Sequence, residues 1–242
     1  MDSDLYPDLA AAGSLAAALD QVAADLGVDL VTVPGDWGPF VSAGIAALVP
    51  ERRPLSVHIG AERRLFGVSG WSEGIELITG ATSDLAEVVR AGVAWGEGKG
   101  LLELHAQLPF LYFSELAEAY ERGPAAAVDV RWRLLREQAA DAPDFPQFGL
   151  LVEVARSEPR LRQLSPMSSH WTLGFSASTG HGSPVAVAIV PSYAGRPYRV
   201  QRSLHEGVLG EAGTADEAVA LAVAHLSPGL GPAVAGTGEP VA

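Results

Sequence analysis

The stretch Leu164-Ser165-Pro166-Met167-Ser168-Ser169-His170-Trp171-Thr172-Leu173-Gly174-Phe175 is where this chain concentrates groups able to do chemistry: hydroxyls and an imidazole, followed at once by strand-forming residues. A histidine beside a serine can take its proton as general base, or protonate a bound substrate, because an imidazole titrates near neutral pH. Ser168 and Ser169 are therefore candidate nucleophiles and His170 their candidate base. Two features argue against this. Adjacent residues seldom form a nucleophile–base pair, and no Gly-x-Ser-x-Gly elbow presents either serine. The simpler reading makes His170 a cap that ties a strand start to a loop.

Other residues can help bind a ligand. Trp37, Trp71, Trp171, Tyr193 and Tyr198 can line a pocket for an aromatic or peptide group, although tryptophan at a strand position usually belongs to the core. Arg160 and Arg162 flank the central stretch and can hold a carboxylate, although arginines so placed more often sit on a solvated surface. His58 converges with His170 if two sheets face one another across a cleft, and His181 sits in a turn. With Tyr193, Trp71, Arg162 and His58 as the binding set, the catalytic set is His170, Ser168 and Ser169. Metal ligation needs at least three convergent groups, and neither His-x-His nor His-x-x-x-His occurs. No metal and no cofactor are expected. Asp36, Glu73 and Glu206 lie beside glycine turns, where carboxylates usually cap backbone amides.

These groups must be positioned by two β-rich parts and a helical middle. Ser14 caps a helix with Leu15, Ala18, Leu19, Val22 and Leu26 on one face, stopped by Gly27, and Val28–Val33 reads as a strand. From Pro54 to Ile78 the period falls to two: Leu55, Val57 and Ile59 share a face, then Phe66 and Val68, then Ile75 and Leu77, as an antiparallel meander. Thr82 is the expected cap of the next helix, with Leu85, Val88, Val89 and Trp95 inward and Gly92 on the same face. Short helices over Leu101–Leu108 and Ser114–Arg122 precede a longer one over Ala125–Ala140, in which Arg133 and Glu137 pair four apart. Asp141-Ala142-Pro143-Asp144-Phe145-Pro146 breaks it, and Phe148, Leu151, Val152 and Ala155 form another helical face. A second strand period begins at Trp171, with Trp171, Leu173 and Phe175 on one face, then Val185, Val187 and Ile189, then Tyr198 and Val200. Thr214-Ala215-Asp216-Glu217 is a capping box before a last helix.

The fold class expected is α+β: two antiparallel meander-plus-helix modules joined by a helical insert, packed as one continuous body. The boundaries read as 1–97, 98–164 for the insert, 165–226, and a flexible Gly/Pro/Ala-rich tail over 227–242. A weak internal repeat supports the two modules. Glu73-Gly74-Ile75 before Gly80-Ala81-Thr82-Ser83-Asp84 resembles Glu206-Gly207-Val208 before Ala212-Gly213-Thr214-Ala215-Asp216. Independent use of a common strand-turn-helix ending explains the match nearly as well.

Composition bounds the partners. With 48% apolar and 19% charged residues, the 242-residue chain has material for a large core without staples. A formal charge of -13 opposes nucleic acid and anionic membrane surfaces, so neither is an expected partner. The absence of cysteine removes disulfides, thiolate nucleophiles and cysteine-ligated metals. Lys99 is the only lysine, and Gly96-Glu97-Gly98-Lys99-Gly100 lacks the spacing of a phosphate loop. No apolar run reaches membrane-spanning length, and the acidic N-terminus lacks the features of an export signal, so a cytoplasmic location is expected.

Trp132-Arg133-Leu134-Leu135-Arg136, Pro159-Arg160-Leu161-Arg162, Ser168 to Ser176 and Thr214-Ala215-Asp216-Glu217-Ala218 together resemble an actinobacterial family of unknown function, commonly labelled as a natural-product biosynthesis protein. The resemblance runs from about Leu55 into the tail. It implies a biosynthetic context and no reaction, so it assigns no catalytic residues. Two functions follow as expectations. One is a cofactor-independent tailoring enzyme or accessory protein acting on a small molecule or precursor peptide. The other is a non-catalytic protein- or peptide-binding module, immunity-like or scaffolding, with a partner from the same pathway.

Overall fold

The computed structural model describes residues 2–205 and 207–237. Its elements are α1 (Pro7–Ala12), α2 (Leu15–Leu26), β1 (Thr32–Pro34), β2 (Ser42–Ile45), β3 (Leu55–Ile59), β4 (Phe66–Ser72), β5 (Ile75–Thr82), α3 (Leu85–Gly96), α4 (Leu101–Gln107), β6 (Leu111–Tyr112) and α5 (Glu115–Glu121). Then come α6 (Pro124–Ala140), α7 (Pro146–Ser157), α8 (Pro159–Arg162), β7 (Ser165–Ser169), β8 (Thr172–Ser176), β9 (Val187–Val190), β10 (Tyr198–Gln201), β11 (Val208–Ala212) and α9 (Ala215–His225). The fold is α+β, with both sheets built as antiparallel meanders. The chain divides into two compact units, residues 1–118 and 119–242, a boundary that falls within the helical middle.

In the first unit six strands run in sequence order, β1 to β6. The alternation of Leu55 with Val57 and of Phe66 with Val68 buries one face, and α2 and α3 bring Leu15, Leu19, Val88, Val89 and Trp95 into the core. Gly92 is explained by this packing: a Cβ there would stand 2.4 Å from Ile45 Cδ1 and 2.8 Å from its Cγ2, so glycine sets how closely α3 approaches β2. Arg52 finishes α3. Its guanidinium lies 4.2 Å from the Trp95 ring centroid and donates to the carbonyls of Trp95 and Lys99 at 3.0 and 2.8 Å, where a cation complements the helix C-terminus. Buried Tyr6 ties the N-terminal segment down, accepting from Leu65 N–H at 3.0 Å with its proton directed to the carbonyls of Gly60, Arg63 and Leu65.

In the second unit the order is β11-β10-β9-β8-β7. The pairs Leu173↔Ile189, Val200↔Ile189, Phe175↔Val187 and Tyr198↔Ala212 place one continuous apolar face against α6, α7 and α9. Trp132 anchors α6 by packing its ring 6.0 Å from Phe175 and donating its indole N–H to Arg162 O at 2.9 Å. Tyr120 and Arg131 both donate to Thr179 O, at 2.6 and 2.9 Å, and burial pushes the Tyr120 phenol up despite the guanidinium beside it.

Several expectations are corrected. Residues 28–31 are not strand; the first strand is Thr32–Pro34, and it pairs with Ser42–Ile45, whose Ser-Ala-Gly-Ile sequence carries no strand signal. The cap of α3 is Asp84, not Thr82: the Asp84 carboxylate accepts from Ala86 N–H at 2.8 Å, while Thr82 closes β5 and bonds Glu87. The expected cap of α9 is present, with Thr214 and Glu217 forming both bonds of the capping box. The two helices therefore start two residues apart in the aligned repeat, although β4–β5 and β10–β11 each precede one and each contain a register shift. Glu206, which entered that match, lies outside the described residues, as do 238–242. The composition after Ser227 suggests an unpacked tail, yet Ala233 is buried, its N–H donates to Gln163 O, and Val234 bridges to Ser178.

Two consequences are measurable. Gly92→Ala gains about 1 kcal/mol of helix propensity but overpacks a buried isoleucine at a cost of about 1–3 kcal/mol, so its melting temperature should fall. At the surface, Arg64 donates to both Asp8 carboxylate oxygens at 2.7 and 2.8 Å and holds that carboxyl below its ordinary value, against a smaller opposing effect of burial. A carboxyl lowered on folding adds stability above its unfolded value of about 3.9, and that stability is lost as pH falls through the folded value. Asp8→Asn should cost no more than about 1 kcal/mol at neutral pH, given the exposure of the pair. In urea titrations its deficit against wild type should vanish at the acid end.

Candidate functional site

The turn between β7 and β8 decides what His170 can do. The register pairs Ser169 with Thr172, leaving His170 and Trp171 as a two-residue hairpin link instead of a strand start. A link of this length follows the right-handed twist of its strands only as a primed turn, with φ positive at both positions for type I′. His170 has φ 47° and Trp171 φ 66°. Two other two-residue turns make a comparison inside the same chain. Glu73–Gly74 has φ 48° and 78°, and Ala194–Gly195 has φ 51° and 78°. Both put glycine second, where it fits without strain. The His170–Trp171 turn has none, and left-handed L-residues cost about 1–2 kcal/mol each.

What the strain holds is an aromatic cleft of about 690 Å³, lined by Asp141, Ala142, Pro143, Asp144, Phe145, His170, Trp171, Val190, Pro191 and Tyr193. Phe145, in the break between α6 and α7, stands edge-on to Trp171 and Tyr193, with centroids 5.6 and 5.7 Å apart and planes crossing at 78° and 87°. Phe148 at the start of α7 supports Trp171 from beneath the surface at 5.2 Å. Trp171 remains 39% exposed and Tyr193 69%. Asp141 and Asp144 are also exposed, and no lysine or arginine occurs among the described lining residues.

The residues named from sequence fall into separate places. His170 and Tyr193 share the cleft. Ser169 Oγ lies 3.3 Å from His170 Nδ1, an adjacent-residue contact at the tip. Ser168 is turned away, its hydroxyl donating to Gln138 on α6 at 2.8 Å. Arg162 lines a different pocket, of about 460 Å³, with Asp129, Ser157 and Gln163. Arg160 spans the end of α9, donating to Val223 O and Ser227 O at 3.1 Å each. Tyr198 is core, its phenol pushed up by burial and, to a smaller degree, by Asp216. Trp71 lies on β4 and His58 on β3, both in the first unit, where His58 meets exposed Trp37 edge-on at 6.0 Å. Among the described residues no three His, Asp or Glu side chains are grouped to hold a metal ion, and no helix is long and apolar enough to cross a membrane.

Sequence reasoning included Trp171 among the aromatic candidates but missed Phe145, Asp141 and Asp144, which read only as a helix break. Their one local signal is an aromatic residue set between prolines, Pro143-Asp144-Phe145-Pro146, where a chain stop needs none.

Residues 126–237 match a family of unknown function, DUF6193. The match begins well after Leu55 and contains every residue lining the cleft. No curated protein and no solved structure matches the chain.

Relieving the strain tests whether the turn is kept for stability. His170 is exposed, so His170→Asn, the residue type preferred first in a type I′ turn, should raise the melting temperature by a few degrees, the scale of about 1 kcal/mol. A drop in a thermal scan would mean that His170 holds the tip in place.

Proposed function

We propose that the second unit is a ligand-binding module that takes a small molecule or a peptide segment into the Phe145–Trp171–Tyr193 cleft, as an accessory protein of natural-product biosynthesis acting in the cytoplasm. The observation that carries this reading is the glycine-free left-handed turn: it costs stability and presents Trp171 beside solvent-facing Tyr193. The biosynthetic context rests on the family resemblance of the sequence.

Binding accounts for this site better than turnover. Ser168 is engaged by Gln138, and the remaining serine is the neighbour of His170 on an exposed tip. The recognisable nucleophile–base arrangement has the base oriented by a third group, and among the described residues no hydrogen bond to a third group holds His170. The cleft instead has the make-up of a binding pocket, with aromatic walls and a few polar groups at its rim. A tailoring reaction with His170 as general base is the second reading, favoured by the contact of Ser169 with its ring.

The test is chemical-shift mapping of the full chain with indole, N-acetyltyrosinamide and short uncharged peptides. Shifts should cluster at Phe145, Trp171 and Tyr193, disappear in Trp171→Ala, and persist in His170→Ala with affinity changed by no more than about threefold, a small effect on this scale. Shifts confined to other surfaces would sink the proposal. Conversion of any probe by wild type but not by His170→Ala would replace it with the catalytic reading.

A further inference from the structure

The chemistry of the cleft narrows its occupant. Resting on the binding reading above, we propose that it accepts an alkylammonium group, carried either by a free small amine or by a lysine side chain of a peptide.

The argument begins with the rings. Phe145 meets Trp171 and Tyr193, and Phe148 meets Trp171, in edge-to-face contacts, and the ring surface open to a third group is what solvent still reaches, with Trp171 39% and Tyr193 69% exposed. An aromatic face carries negative potential, and a cation within about 6 Å of a ring centroid is attracted to it, most strongly over tryptophan. Convergent aromatic walls are the arrangement that recognises quaternary and methylated ammonium groups.

The rim points to the same class. Asp141 and Asp144 contribute the only full charges of fixed sign among the described lining residues, and both are negative. Arg196 follows Tyr193 within its loop but is not among the residues lining the cleft. An anionic ligand would meet two like charges. A neutral apolar ligand would press on carboxylates that prefer water and gain nothing from them. A cation gains from rings and carboxylates together, and the net charge of -13 attracts it at longer range. The cavity of about 690 Å³ lies within the roughly 300–1,000 Å³ of small-ligand sites, ample for a trimethylammonium head with substituents.

The experiment uses the full chain at about pH 8 and follows the Trp171 indole N–H signal, assigned by its loss in Trp171→Phe. The probes are choline and its uncharged isostere 3,3-dimethyl-1-butanol. Choline should give a saturable shift, with the neutral isostere at least about tenfold weaker. The Asp141→Asn/Asp144→Asn double variant, at exposed positions and checked by circular dichroism, should weaken choline by about three- to tenfold, and Tyr193→Ala by a similar factor. The tripeptide acetyl-Gly-Lys-Gly-amide separates the two sources: tighter binding than choline identifies a peptide lysine, weaker binding a free amine, and either supports the proposal. Equal binding of choline and its neutral isostere would overturn the cation assignment. So would silence from choline and the lysine peptide while the uncharged aromatic probes still bind, which leaves the binding reading intact. No saturable shift from any probe would overturn both.

Discussion

The parity of the β7–β8 pairing governs the second unit. Leu173 and Phe175 must face α6 and α7, and a slip of one residue would turn both of them away from the core. Burying two such side chains is worth about 1.5–3 kcal/mol each, as much as or more than the cost of two left-handed residues in the link. Core burial therefore fixes the register, and the register forces His170 and Trp171 into a turn their side chains do not favour.

The same constraint aims Trp171. A strand residue in its place would alternate with Leu173 and Phe175 and be swallowed by the core. At the turn it leaves the sheet and meets Phe145 from the break between α6 and α7 and Phe148 from the start of α7. That break is itself held by tertiary packing, since Trp132 fixes α6 through Phe175 and Arg162 while Phe148, Leu151 and Val152 bury α7. A rigid frame thus presents an exposed aromatic tip, and the turns at Glu73–Gly74 and Ala194–Gly195 show that elsewhere this chain places one left-handed L-residue before a glycine instead of two in a row. The strain is doubled at this one turn, and backbone strain of this kind clusters at sites used for more than chain reversal.

How much of this is legible in the sequence varies with how local the cause is. The α+β class, the period-two runs through Leu55–Val57 and Phe66–Val68, the Ser14 cap with its Gly27 stop, and the Thr214–Glu217 capping box all depend on residues within a few positions of one another, and all appear in the structure. Elements made by pairing alone were invisible. β2 and β6 are strands because a neighbour supplies their hydrogen bonds, not because Ser42–Ile45 or Leu111–Tyr112 prefer extended backbone.

The candidate site divides along the same line. Residue types alone put forward His170, Ser168, Ser169, Tyr193, Trp71, Arg162 and His58 alike, since an imidazole, a hydroxyl, a guanidinium and an aromatic ring carry their chemistry wherever they are placed. The turn at His170–Trp171 had no Asn-Gly signature to announce it, so an alternating aromatic pattern read there as the start of a strand. That Ser168 would be drawn to Gln138, that Arg162 would line a different pocket, and that Phe145 would complete an aromatic cleft with residues far along the chain were decided only by tertiary structure. The sequence determines which groups exist and which local turns and caps they favour. Which of them meet depends on strand register and helix packing, where the burial of distant apolar side chains outweighs local preference.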